Sequence, residues 1–170
     1  MKDSPSNKEN GNSKRSTVLV AVDFSHCSRL ALRRAKSWAA TNGGKILVLH
    51  VIDQDFVRHC IYQHLGAEGE IKEKVFINSK KKLREVLRSE GMDGKNTQMI
   101  VCEGTPCLEI NRKAVENDVE MIIMGSKGNS DEMKAIFFGS TTEKVLRFIK
   151  RPVLCIPPEG HYKWNERPLS

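Results

Sequence analysis

Five short apolar runs, each separated from the next by a segment of helical character, most constrain how this chain of 170 residues can fold. Apolar and branched side chains follow one another in these runs, which predicts strands buried on both faces. Such strands pair in parallel and need helical crossovers between them. The expected fold class is therefore α/β, a single open five-stranded parallel sheet with helices on both faces. The predicted strands are Thr17–Val22, Ile46–Val51, Gln98–Cys102, Glu120–Met124 and Pro152–Ile156.

Start and stop signals delimit the helices between these runs. Ser25 is a good N-cap, and Gly43 is suited to ending the same helix. Thr105 precedes Pro106, and proline is favoured at the first helical position. Ser140 and the glutamate three positions later form a capping box. The four predicted helices cover residues 25–42, 70–90, 105–115 and 140–150.

The chain outside this pattern forms two predicted tails. Residues 1–15 are almost entirely polar and are expected to be a disordered tail, and residues 159–170 show no periodicity. Residues 16–158 are then one domain, which suits a length within the usual range of about 100–200 residues. No apolar run approaches the roughly 20 residues that span a bilayer, so we expect no membrane partner.

The number of cysteines and the net charge bear on the cellular location and on the class of partner. The five cysteines are odd in number and scattered, which favours reduced thiols and a cytoplasmic location over a disulfide framework. The net charge of +7 is compatible with any anionic partner. In the basic cluster between Lys80 and Arg88, Glu85 is interspersed and aromatic residues are few. We interpret this cluster as a solvated helix face and do not expect nucleic acid to be a partner.

Carboxylates lie where the first two strands end, the edge at which an open parallel sheet binds its ligands. Asp23 follows the first strand and Asp53 ends the second. A carboxylate there can accept hydrogen bonds from a ribose or an amino group of a ligand. It can equally cap the following helix, which for Asp23 is the helix beginning near Ser25. The residues alone leave both interpretations open.

A glycine-rich segment follows the fourth strand. Gly125 and Gly128 come first, and Gly139 precedes Ser140 at the start of the last predicted helix. Glycines allow close approach of the backbone and positive φ, and a helix N-terminus attracts anions. A phosphate chain held between Gly128 and Gly139, with help from nearby hydroxyl groups, is one interpretation. The other is that these glycines turn the chain before an ordinary cap.

Five segments in this order resemble the universal stress protein family, specifically the nucleotide-binding branch of UspA-like domains. The likeness runs from about residue 16 to residue 158. The segments are Val18–Ser25, Leu47–Val51, Glu103–Pro106, Met121–Gly128 and Phe138–Thr141. The resemblance implies an adenine nucleotide alpha hydrolase-like sheet with strand order 3-2-1-4-5. It also implies a homodimer joined through the last strand, Pro152–Ile156.

The resemblance also implies an adenine nucleotide ligand, namely ATP or else ADP or AMP, with Mg²⁺ as a companion ion. It assigns Asp23 and the backbone of Val51 to the adenine region, and Met124 and Gly125 to the ribose. The phosphates would be held by Gly128, Gly139, Ser140 and Thr141. Such a protein acts as a stress-response switch or signalling module; the alternative is a nucleotide-free homodimer with a protein-interaction or chaperone-like role.

One feature departs from the family pattern. Ten residues separate Gly128 from Gly139, whereas the family motif, G-x2-G-x9-G-[S/T], has nine. A loop absorbs one residue at small entropic cost, so the site can survive. The extra residue can equally move Gly128 away from the phosphates. Asp131 and Glu132 in this loop would repel phosphate unless a cation bridges them, whereas Lys127 would attract it.

Other reactive groups offer weaker alternatives. Cys60 and His64 have helical i, i+4 spacing, but no second ligand pair accompanies them, so we interpret the segment as a surface loop without metal. Cys102 and Cys107 lack redox spacing and are interpreted as apolar fillers. The chain has no Walker A or nucleophile-elbow sequence, and its histidines and carboxylates form no evident acid–base pair. We expect no catalytic residues, and slow ATP hydrolysis at most.

Overall fold

The computed structural model describes residues 16–63, 67–128 and 138–159. Within them the chain alternates between strands and helices, as the apolar runs predict. The predicted tail at residues 1–15 and most of the one at 159–170 lie outside the described residues. The elements are β1 (Thr17–Ala21), α1 (His26–Asn42), β2 (Lys45–Asp53), α2 (Gln54–Tyr62), α3 (Glu68–Ser89), β3 (Thr97–Gly104), α4 (Pro106–Glu116), β4 (Met121–Gly125), α5 (Ser140–Arg147) and β5 (Val153–Ile156).

All five strands are parallel and lie in the order β3-β2-β1-β4-β5, which confirms the predicted fold class and strand order. In the register of the central strands, Val20 of β1 faces Val48 of β2 on one side and Ile123 of β4 on the other. The chain moves outward from β1 in one direction up to β3, and then in the other direction through β4 and β5. The switch point therefore lies at the carboxyl ends of β1 and β4, where such sheets form a crevice.

Two hydrophobic cores cover the two faces of the sheet. Val18 and Val20 pack beneath α1 and α3, whereas Leu19, between them in sequence, packs beneath α4 and α5. All three side chains are fully buried. Because successive side chains of a strand point to opposite faces, apolar residues at consecutive positions are what a sheet covered on both sides requires.

The predicted ends of α1 are confirmed. The Ser25 side chain accepts a hydrogen bond of 3.2 Å from the Ser28 N–H, and Gly43 ends the helix at φ +63°. Gly44 then passes so close to Trp38 that a Cβ would lie 2.4 Å from its ring. These contacts bring the chain from α1 directly into β2.

Two details of the helices differ from the prediction. Two helices rather than one connect β2 to β3, and His59 and Cys60 lie in α2 rather than in a loop; His64 is outside the described residues. The sequence signal for α2 is weak because it is nine residues long and Val57 is its buried residue. The capping box at Ser140 is also wrong. Gly139 occupies the N-cap, Ser140 is the first helical residue, and α5 ends at Arg147 rather than Lys150.

The surface of the described chain carries the expected basic cluster. Lys81, Lys82, Arg84 and Arg88 are exposed on α3, as a helix-face interpretation requires. Among the described helices none has the length and apolar character needed to cross a membrane.

Candidate functional site

A cavity of about 300 Å³ lies at the switch point, at the carboxyl ends of β1, β2 and β4. This volume is at the lower end of the range of about 300–1,000 Å³ for ligand pockets. All eight residues that the sequence assigns to a nucleotide line it: Asp23, Val51, Met124, Gly125, Gly128, Gly139, Ser140 and Thr141. The fold therefore gathers into one wall residues that are up to 118 positions apart in the sequence, from Asp23 to Thr141.

Gly125 allows the end of β4 to lie against the start of α1. A Cβ on Gly125 would be 2.6 Å from the Cys27 Cβ and 2.9 Å from the Cys27 carbonyl carbon. The expectation of positive φ in this segment is not met, because Gly125, Gly128 and Gly139 are not among the described glycines with positive φ. At Gly125 the reason for glycine is close packing.

Hydrogen bonds from β4 hold the N-terminus of α5 at the cavity. The Thr142 hydroxyl donates to the Gly125 carbonyl at 2.9 Å, and the Gly139 N–H donates to the Ser126 carbonyl at 2.8 Å. The N–H groups of Ser140, Thr141 and Thr142 belong to the first turn of the helix, where no intrahelical carbonyl is available. Together with the helix dipole, these groups form a site suited to an anion.

Asp23 lines the cavity, and it is not the cap of α1. Its Oδ1 accepts the Ser25 N–H at 2.9 Å, while Ser25 itself caps α1. Its Oδ2 faces Gly128, on which a Cβ would lie 2.9 Å away. Gly128 and Gly139 thus both remain at the cavity despite the additional residue between them. Asp131 and Glu132 lie outside the described residues.

Val51 reaches the cavity because β2 extends beyond the end of β1. The Leu49 carbonyl accepts the Val22 N–H at 2.8 Å, so it points towards β1. Backbone groups repeat every two residues along a strand, and the N–H and C=O of Val51 therefore point to the same side. By that level β1 has ended, which leaves the Val51 backbone facing the cavity.

The charge of the cavity is mixed. Among the described lining residues the charged side chains are Asp23, Asp53 and Lys127. Attraction of phosphate at this wall would therefore depend mainly on backbone N–H groups and hydroxyls. Beneath them, burial raises the pKa of the Cys27 thiol, which keeps it neutral at physiological pH.

The structure adds lining residues that the sequence analysis did not select. Ser28 lies in the first turn of α1, and Pro106 and Ile110 come from α4. The position of Pro106, two residues after the end of β3, was an available signal, because this is another carboxyl end of the sheet. No such signal marks Ile110, because its apolar side chain has the spacing of an ordinary core residue.

The remaining candidate groups stay apart from this cavity. No cluster of three or more metal-ligating side chains occurs in the described ranges. Both thiols of the Cys102 and Cys107 pair are free. Cys107 is buried in the core, as expected for an apolar filler. Burial and the neighbouring Glu109 raise the pKa of Cys102 to about 11, which leaves this thiol unreactive near neutral pH.

Sequence comparison agrees with this architecture. The model of the Universal stress protein family matches residues 14–157. Universal stress protein MJ0577 of Methanocaldococcus jannaschii is 30% identical over 151 residues, covering 82% of this chain and 93% of the relative. Universal stress protein YxiE of Bacillus subtilis is 28% identical over 144 residues, covering 82% and 97%.

Solved structures share the fold. The structure of MJ0577 superimposes with a TM-score of 0.72 at 29% identity, covering 85% of this chain and 96% of that one. A universal stress protein from Archaeoglobus fulgidus in complex with dAMP has a TM-score of 0.59 at 24% identity, covering 84% and 97%. Another in complex with cAMP has a TM-score of 0.55 at 23% identity, covering 83% and 95%.

Proposed function

Because this chain belongs to the universal stress protein family, we propose that its cavity binds an adenine nucleotide, ATP in particular. The observation that carries the proposal is that two different parts of the chain line the same cavity: the α5 N-terminus, and the side formed by Asp23 and Val51. The first offers N–H groups and hydroxyls to phosphates, and the second offers a carboxylate and open backbone groups to a nucleoside. A nucleotide needs both in one cavity.

The proposed pose follows the polarity of the cavity. Adenine lies against Asp23 and the Val51 backbone, the ribose lies by Met124 and Gly125, and the phosphates extend along Gly128 and Gly139 to Ser140 and Thr141. Proteins of the same fold hold dAMP and cAMP, so the fold accommodates adenine nucleotides. Mg²⁺ would accompany ATP, bound by its phosphates and by water.

The proposed role is a nucleotide-dependent switch or signalling module in the stress response, with slow ATP hydrolysis at most. The described lining residues favour binding over catalysis, because among them the candidate general bases are the two carboxylates Asp23 and Asp53. The five cysteines are free, which agrees with the proposed cytoplasmic location.

Isothermal titration calorimetry with ATP and Mg²⁺ tests this function. We expect binding of ATP to a single site per chain, with GTP as the matched control that keeps the triphosphate and changes the base. Heat at or below the dilution level with millimolar ATP overturns the proposal. Equal affinity for GTP and ATP would contradict the adenine assignment alone.

A second candidate function is a nucleotide-free homodimer that acts as a protein-interaction or chaperone-like module. The specific observation that favours it is the exposed β5 edge of the sheet, where Leu154 is exposed, as are Phe148 and Ile149 just before the strand. Dimerisation through β5 is compatible with either function. The ultraviolet spectrum of freshly purified protein separates them, since bound nucleotide adds its own absorbance band.

A further inference from the structure

Three side chains, from α3, from β2 and from the turn that joins β1 to α1, stack against one another. The Lys82 Nζ on α3 lies 4.4 Å from the centroid of the Phe24 ring. The centroid of the same Phe24 ring lies 4.3 Å from the centroid of the His50 ring on β2. His50 Nδ1 in turn donates a hydrogen bond of 2.7 Å to the Val22 carbonyl. The stack thus holds both neighbours of Asp23, Val22 and Phe24.

The backbone at this turn is strained. Phe24 has φ +67°, and Asp118 is the other non-glycine residue with positive φ in the described parts of the chain. A bulky side chain is an outlier in this conformation and persists there when its surroundings hold it. The Lys82 and His50 contacts are what holds the Phe24 ring, which also packs against the core beneath α1 and α3.

We propose that Lys82, Phe24 and His50 are positioning residues for the adenosine part of the ligand. The stack keeps the turn in the one conformation that places Asp23 in the cavity wall. The proposal rests on the proposed function. Lys82 itself does not line the cavity, and it acts through the Phe24 ring.

This arrangement makes a distinctive prediction about ligands. When the stack is weakened, the turn spends part of its time relaxed, and the apparent affinity falls in proportion to the remaining competent fraction. The loss of affinity is the same for adenosine, AMP and ATP, because the stack positions Asp23 on the adenosine side of the cavity and does not act on the phosphates. A lysine acting as a distant charge behaves differently: its effect grows with the number of phosphates and shrinks with salt.

The experiment measures dissociation constants of adenosine, AMP and ATP for matched variants. Lys82→Ala is expected to weaken all three by about two- to fivefold, the range of a cation–π contact made by an exposed side chain. Lys82→Arg is expected to restore them, because a guanidinium also stacks on aromatic rings. Lys81→Ala, which removes an exposed charge one residue earlier on α3, is expected to change none of them.

A double-mutant cycle tests the route through Phe24. Phe24→Ala should weaken binding, and adding Lys82→Ala to it should have no further effect. The stack can be read without ligand, since Phe24→Ala should shift the His50 ring resonances in the NMR spectrum. The same NMR spectrum shows whether each variant retains the fold.

Three results overturn the proposal: full additivity of the two substitutions, a Lys82→Ala effect that rises from adenosine to ATP, or unchanged affinity in Lys82→Ala. Each of these requires that the wild-type chain binds nucleotide. If the wild-type chain itself binds neither adenosine nor ATP, the proposed function fails, and the two failures are thereby distinguished.

Discussion

The buried hydroxyl of Thr142 donates a 2.9 Å hydrogen bond to the carbonyl oxygen of Gly125, across 17 positions of sequence. Gly125 is the last residue of β4, and Thr142 is in the first turn of α5. This bond fixes the helix N-terminus relative to the end of the sheet. It therefore sets the separation between the two sides of the cavity.

Substitution of Thr142 should lower the stability of the fold, whereas substitution of its neighbour Thr141 should lower ATP affinity. Thr142→Val keeps the shape but leaves the Gly125 carbonyl without this partner, which we expect to cost about 1–3 kcal/mol of unfolding free energy. Thr141→Val is the matched control, because both threonines line the cavity but the Thr142 hydroxyl is the one bonded to the Gly125 carbonyl. It should lower ATP affinity with little change in stability. Urea unfolding and ATP titration of both variants check this, and equal losses of stability would contradict it.

Gly125, the last residue of β4, and Gly128, three residues later, should respond differently to substitution. In Gly125→Ala the new Cβ meets the Cys27 Cβ at 2.6 Å, so we expect a loss of about 1–3 kcal/mol in unfolding free energy. Among the described residues, a Cβ on Gly128 meets the end of the flexible Asp23 side chain. Gly128→Val should therefore keep the fold and weaken ATP binding by about tenfold or more.

Thermal unfolding and ATP titration distinguish the two glycine positions. Unchanged ATP affinity in Gly128→Val would show that the additional loop residue has removed Gly128 from the phosphates. An undiminished melting temperature in Gly125→Ala would contradict the close packing of β4 on α1.

His50 should make stability depend on pH. Burial lowers the pKa of His50, a nearby Lys82 adds to this, and the Val22 bond and Asp23 oppose it. The unfolded chain then binds a proton more readily, so unfolding free energy falls as pH drops below the ordinary histidine pKa of about 6.5 and levels off below the folded pKa. His50→Asn retains a donor for Val22 without titrating. The difference between wild-type and variant stability should change between about pH 7 and pH 5, and a constant difference would refute the assignment.

The edge strand β5 offers a test of the proposed homodimer. The Pro152 and Ile156 carbonyls accept hydrogen bonds from the β4 side, so the Cys155 N–H points outward. Cys155→Pro removes that outward donor without breaking a bond to β4, and we expect it to shift the mass in sedimentation from two copies to one. Cys155→Ala keeps the N–H and should remain dimeric. Two copies in both variants would exclude pairing through β5.

Much of the fold was predictable from sequence because its signals are local. Five apolar runs identified the strands, and Ser25 with Gly43 marked the ends of α1, since capping depends on neighbouring residues. Helix α2 was missed because a short helix with one buried residue leaves little periodicity. The cap of α5 was assigned one residue late because Ser140 has the side chain of a cap, whereas Gly139, whose N–H donates to the Ser126 carbonyl just after β4, occupies the cap position.

The sequence by itself determined the α/β class, the parallel strands and the edge of the sheet at which the cavity lies, because consecutive apolar residues require burial on both faces. Its motifs also indicated the family. Only the tertiary structure decided that Gly128 and Gly139 line one cavity despite the longer spacing between them, and that Gly125 is needed for packing against Cys27. The same holds for the stack of Lys82, Phe24 and His50. These relations depend on distances between residues far apart in the chain, which local patterns do not encode.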